Sequence, residues 1–166
     1  FRHLDKEDFL MLYTAYIRPH MEYYIQVWSP HLVKDVQTIE QVQRKSTKLV
    51  KEVQKLSYQE RLTKLGLPTL EARRQRGDLI EAYKILTGKE KIEYEQLFQL
   101  DSSGHGLRGH SMKLFQQRSK QIIRKHFFSQ RVISSWNNLP QHVVDVPSIN
   151  AFKNRYDKLK RQDRSN

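Results

Sequence analysis

The apolar residues of this chain fall mostly at helical spacing. Phe9, Leu12, Tyr13, Tyr16 and Ile17 share one face, so the pattern predicts a first helix with a single apolar stripe. Arg18-Pro19 should interrupt it, because proline lacks an amide proton and crowds the preceding turn, and Pro19 can then open a second helix. That second helix carries Met21, Tyr23, Tyr24, Val27 and Trp28 and stops at Ser29-Pro30. A third is expected over residues 34–51, with Val36, Ile39, Val42, Leu49 and Val50 on one side.

Local punctuation sharpens the next elements. Ser57-Tyr58-Gln59-Glu60 reads as a capping box, and Gly66 closes the short helix it opens. Leu67-Pro68-Thr69 leads into a fifth helix over 70–87, capped by Gly88, with Leu79, Ile80, Tyr83 and Leu86 as its stripe. Residues 99–111, rich in Gly, Ser and His, read as a loop. The pairs Leu114-Phe115 and Ile122-Ile123 are compatible with a small β-hairpin near 113–125. A helix over 126–138 should bury Phe127, Phe128, Val132 and Trp136, ending at Asn137-Asn138-Leu139-Pro140. Pro147-Ser148 then caps a last helix with Ile149, Phe152, Tyr156 and Leu159 inward, followed by a basic tail. The expected fold is mainly α, a helical segment followed by a helical extension, with that hairpin as its one β element.

Charge adds what periodicity leaves out. Over 166 residues the net charge is +12, which points to an anionic partner. Between Ser102 and Val144 there is no Asp or Glu, yet Arg108, Lys113, Arg118, Lys120, Arg124, Lys125 and Arg131 are present. Cations without local acids need an external anion, and a phosphate backbone is the commonest; a solvated basic face is the plainer alternative. No apolar run is long enough to span a bilayer, no signal peptide opens the chain, and cysteine is absent, so an intracellular setting without membrane is expected. The chain starts at Phe1 rather than Met, which suggests a fragment.

The chemistry of catalysis finds no foothold. There is no HExxH, and His105 and His110 sit in a loop without neighbouring carboxylates or thiols, so no metal ligand is assigned. Serine-nucleophile elbows are missing, and Gly104-His105-Gly106 and Gly109 lack the Lys-Ser/Thr of a phosphate loop. Glu90, Glu93 and Glu95 read as a solvated helix start rather than a Mg²⁺ site. Arg76-Gly77-Asp78 spells an adhesion tripeptide, but mid-helix it reads as coincidence. Trp28 and Trp136 fall on apolar stripes and are expected in the core rather than stacked on bases. No catalytic residue and no small-molecule substrate is expected.

Three segments carry a resemblance. They are Leu12-Tyr13-Thr14-Ala15-Tyr16-Ile17-Arg18-Pro19-His20-Met21-Glu22-Tyr23, then Leu65-Gly66-Leu67-Pro68-Thr69-Leu70-Glu71 with Arg73-Arg74 and Arg76-Gly77-Asp78-Leu79, and Phe127-Phe128-Ser129 through Trp136-Asn137-Asn138-Leu139-Pro140. In this order they resemble the C-terminal part of reverse transcriptases from non-LTR (LINE-type) retrotransposons, nearest the branch of Jockey and chicken-repeat elements. Pro147-Ser148-Ile149-Asn150-Ala151-Phe152-Lys153 resembles that family's closing helix.

The resemblance implies a thumb over residues 1–50, a helical extension over 51–98, and a basic loop or hairpin with C-terminal helices over 99–166. It also implies that the paired catalytic aspartates, and the Mg²⁺ they hold, belong to a polymerase palm upstream, so that this chain needs no cofactor. The expected partners are an RNA or DNA backbone and the upstream polymerase domain, in a nucleus. Arg108, Lys113, Arg118, Lys120, Arg124, Lys125 and Arg131 are the preferred phosphate contacts. Arg44, Lys45 and Lys48, then Arg73, Arg74 and Arg76, follow, although Arg73 and Arg76 could instead pair with helical acids such as Glu81 or Asp78. Two rival readings remain: a protein-interaction module docking on the polymerase domain through faces such as Tyr13/Tyr16, and a remnant of a decayed element.

Overall fold

Helix formation begins at Asp5, whose carboxylate accepts from the Asp8 amide at 2.8 Å and caps α1 (Lys6–Leu12). The computed structural model describes residues 4–102 and 109–163. Among these residues the backbone is mainly helical, and extended pairing is confined to isolated bridges.

Pro19 does not break the first helix. A π-helical turn, Tyr13–Ile17, follows α1 and passes directly into α2 (Arg18–Glu22), with the Arg18 amide reaching back to the Tyr13 carbonyl. The wider turn makes room for the pyrrolidine ring where an α turn would drive it into the carbonyl four residues back. Along this stretch Phe9 and Tyr13 are buried, whereas Leu12 and Tyr16 are exposed. The break comes later, at Tyr24, whose φ of 49° puts a bulky residue in the left-handed region before α3 (Ile25–Trp28). Trp28 is therefore turned away from the core and is 40% exposed, its indole N–H donating to the Tyr23 carbonyl.

α4 (Val33–Ser46) is shorter than the sequence pattern suggests, because a 3₁₀ turn, Thr47–Leu49, ends it and Val50 forms an isolated bridge with Leu4. The capping box forms as expected at α5 (Tyr58–Leu65): the Glu60 amide donates to Ser57 Oγ at 3.4 Å and the Ser57 amide to Glu60 Oε2 at 2.8 Å. Gly66, at φ 69°, then reverses the chain, and the Leu67 amide returns to the Leu62 carbonyl at 2.9 Å. Thr69 caps α6 (Leu70–Leu86) by accepting from the Ala72 amide at 3.1 Å.

The chain forms two compact units, residues 1–77 and 78–166, divided inside α6. The first unit is centred on Phe9, Tyr13, Val50, Val53, Leu62, Leu65 and Leu67. Within it Gly77 faces Ile25 so closely that a β-carbon there would lie 2.4 Å from the Ile25 δ-methyl.

The second unit buries the predicted stripe of α6, Leu79, Ile80, Tyr83 and Leu86. Around it lie α7 (Ile122–Lys125), α8 (Phe128–Asn137), α9 (Gln141–Val144) and α10 (Ile149–Gln162). Phe152 stacks on Tyr83 with ring centres 4.5 Å apart, and Trp136, fully buried, lies 6.1 Å from Phe152. Ser148 caps α10, accepting from Ala151 at 3.1 Å.

The hairpin expected near 113–125 is not formed. Leu114 instead pairs through a single antiparallel bridge with Leu100, and residues 122–125 make a helical turn. Phe127, expected in the core, is the extended residue preceding α8 and is 57% exposed; Phe128, Val132 and Trp136 do pack inward. The tripeptide Arg76-Gly77-Asp78 is interior helix, with Asp78 buried.

Candidate nucleic-acid interface

In the second unit a basic segment is fixed to α8 largely by backbone atoms. The Leu114 amide donates to Asn137 Oδ1 and Asn137 Nδ2 donates back to the Leu114 carbonyl, both at 2.8 Å. This side-chain amide occupies the place a neighbouring strand would take. The Trp136 indole N–H donates to the Met112 carbonyl at 2.7 Å, and the Ser111 amide donates to Gln141 Oε1 at 2.9 Å. On the other side Phe115 donates to Gln99 at 2.8 Å and Asp101 to the Lys113 carbonyl at 2.9 Å.

His110 anchors the start of the segment. Its ring is buried, its Nε2–H donates to the Trp136 carbonyl at 2.9 Å, and it meets the indole edge-on at 5.5 Å. Burial pushes its pKa below the ordinary value, so it is a neutral core histidine.

Beyond this anchor Arg118, Lys120, Arg124 and Lys125 are exposed, and Lys113 is half-buried. Arg124 donates to Gln117 Oε1 at 3.2 Å, which draws its guanidinium toward the segment. Arg108 lies outside the described residues.

Arg131 departs from the expectation. It forms a two-pronged ion pair with Asp78, Nε to Oδ2 at 2.8 Å and Nη2 to Oδ1 at 2.9 Å, and also donates to the His126 carbonyl at 3.0 Å. An acid distant in sequence thus neutralises a cation that has none nearby, and Arg131 serves the fold of this unit.

A groove of about 470 Å³ runs beside the segment, lined by Phe115, Gln117, Arg124 and Phe127 on one part and by residues 94–100 on another. Phe115, 47% exposed, and Phe127 are its aromatic surface. Sequence reading missed both, assigning Phe127 to the core and Phe115 to a hairpin. The available signal was the polar setting of each: Phe115 precedes Gln116-Gln117, and Phe127 follows the charged turn of α7.

In the first unit Arg44, Lys45 and Lys48 are all exposed and line a second groove of about 720 Å³. The Arg44 guanidinium stands over the Tyr58 ring at 4.5 Å, a cation–π contact at the groove wall. Behind it lies a hydrogen-bonded chain. Tyr13 donates to Gln43 Oε1, Gln43 Nε2 donates to Tyr58 at 3.1 Å and to the Pro68 carbonyl at 2.9 Å, and Tyr58 donates to Glu40. Glu40 also accepts the Leu70 amide at 3.0 Å, placing a carboxylate at the positive end of α6. Burial, reinforced by the Glu40 carboxylate, raises the pKa of both Tyr13 and Tyr58.

The cations of α6 do not join these sets. Arg73 pairs with Glu22, Nη2 to Oε2 at 2.8 Å, rather than with Glu81 or Asp78, and Arg74 is buried. Arg76 is half-buried. Arg61, which sequence reading passed over, is buried; it donates to Thr47 Oγ1 at 3.0 Å and to the carbonyls of Leu56 and Arg44 at 2.6 and 3.2 Å, and its guanidinium lies 5.6 Å from the Tyr58 ring centre.

Among the described residues no group of His, Asp and Glu is gathered as a metal site, and no helix is long and apolar enough to cross a membrane. Of the predicted contacts, the structure gathers Arg118, Lys120, Arg124 and Lys125 in one unit and Arg44, Lys45 and Lys48 in the other. Compared with family models, curated proteins and solved structures, the chain matches none.

Proposed function

We propose that this chain is the nucleic-acid-binding thumb and C-terminal extension of a non-LTR retrotransposon reverse transcriptase. Its role is to hold RNA or DNA by the backbone near an active site carried elsewhere in the parent enzyme. The observation that carries this reading is the acid-free run from Gly109 to Val143, with Arg118, Lys120, Arg124 and Lys125 exposed along it. Phosphates neutralised by such cations release counterions, so affinity falls steeply with salt. Arg44, Lys45 and Lys48 supply a separate contact set. The reading leaves nucleotide transfer and its Mg²⁺ to the parent's palm, and it places the protein in the nucleus.

The test is a titration of the chain with an RNA–DNA duplex at several salt concentrations. The expected result is a steep loss of affinity with salt, with a slope reduced by about one for each phosphate contact removed. The triple change Arg118→Glu, Lys120→Glu, Arg124→Glu should weaken binding of every sequence alike. Affinity untouched by it removes this surface from the reading.

A second reading, docking on the parent polymerase domain, is favoured by one observation. Tyr16, Tyr23, Tyr24, Val27 and Val33 are all more than 60% exposed in the first unit, although Tyr13, expected on that face, is buried.

A further inference from the structure

We propose that the groove beside the basic segment of the second unit seats unpaired nucleotides, gripping bases as well as phosphates. The proposal rests on the nucleic-acid reading above and specifies its ligand as a single strand.

The chemistry of the walls is the argument. Phe115 and Phe127 are large apolar rings left in solvent at the groove, 47% and 57% exposed, where each forfeits the gain of burial. An aromatic ring held at a cationic surface is a stacking platform for a base whose face is free. In a duplex those faces are covered by neighbouring pairs, so a duplex gains nothing from the phenylalanines.

Gln96, Gln99, Gln117 and Gln130 line the same groove. A carboxamide offers both donor and acceptor and so matches the mixed edge of an unpaired base. Arg124, hydrogen-bonded to Gln117, stands where a phosphate would follow. Glu95 is the acid among the described lining residues. At about 470 Å³ the groove falls within the roughly 300–1,000 Å³ typical of ligand clefts.

The platform is also pre-formed. Phe115 is fixed through its amide to Gln99, next to the Asn137 clamp on Leu114, and Phe127 is the residue from which α8 starts. Stacking on rings whose main chain is already anchored leaves less to order when the strand binds.

The experiment measures binding of labelled oligouridine and of an RNA–DNA duplex to the full chain and to the double variant Phe115→Leu, Phe127→Leu. Leucine keeps the apolar bulk and removes the ring. The expected result is about a tenfold or greater loss for the single strand, with duplex affinity and salt slope unchanged. Equal losses on both probes, or none on the single strand, overturn the groove; in the second case the phenylalanines are left as a protein-contact surface. Failure of the unsubstituted chain to bind either probe removes the nucleic-acid reading itself and the groove with it. Ultraviolet cross-linking of 4-thiouridine oligonucleotide to the unsubstituted chain gives a readout independent of any variant's stability. Cross-links at Phe115 or Phe127 support the seat, and cross-links confined to other residues overturn it.

Discussion

Asp78 Oδ1 and Oδ2 each accept one hydrogen bond from the Arg131 guanidinium, at 2.9 and 2.8 Å, across a sequence separation of 53 residues. Both side chains are largely sheltered from water. Removing the guanidinium takes the two-pronged counter-ion from a buried carboxylate, so Arg131→Ala should destabilise the chain by about 3 kcal/mol, read as a lower urea midpoint. Where the variant still folds, its affinity for duplex should match that of the parent.

The Arg131 pairing also shows where the sequence was readable. The short-range signals held: the box at Ser57 and Glu60, the left-handed Gly66 and Gly88, the cap at Ser148 and the α6 stripe all appear. Each depends on residues within a turn or two of one another. What failed was long-range or rare. No local pattern reveals that Asp78 neutralises Arg131, that Glu22 takes Arg73, or that neutral oxygens and the Tyr58 ring receive Arg61. Charge was read as surface, yet the fork of arginine suits interior carboxylates and carbonyls. The π turn before Pro19 and the left-handed Tyr24 are low-frequency backbone states, so Trp28 and Tyr16 were placed on the wrong side.

Acid should weaken the second unit through His110. Its folded pKa lies below the ordinary 6.5, so the unfolded chain takes up the proton first and stability declines as pH drops below about 6.5. The slope approaches at most about 1.4 kcal/mol per pH unit and ends once the folded pKa is passed. Urea midpoints at stepped pH should flatten in His110→Gln.

Alkali should weaken the first unit. Tyr13 and Tyr58 have folded pKa values raised above 10.0, so their contribution is intact below that pH and declines as the unfolded chain ionises above it. The double change Tyr13→Phe, Tyr58→Phe should remove much of this dependence, measured by circular dichroism over a basic titration.

Glu40→Ala deprives α6 of the carboxylate at its N-terminus and Tyr58 of its acceptor. A loss of about 1–2 kcal/mol is expected in thermal unfolding. Glu40→Gln keeps an acceptor without the charge and should lose less.

Asn137→Ala cuts both hydrogen bonds to Leu114, and Asn137→Asp keeps the acceptor alone. Hydrogen exchange at the Leu114 amide should quicken strongly in the first and less in the second. Helix α10 should keep its protection in both.

The way residues 111–115 are tied down has a consequence for what this surface can become. Every one of them is fastened through a main-chain atom: the amide of Ser111, the carbonyls of Met112 and Lys113, both groups of Leu114, the amide of Phe115. Outward-facing letters here can be rewritten without unpicking the seam, so specificity at this edge is free to drift while the mounting stays put.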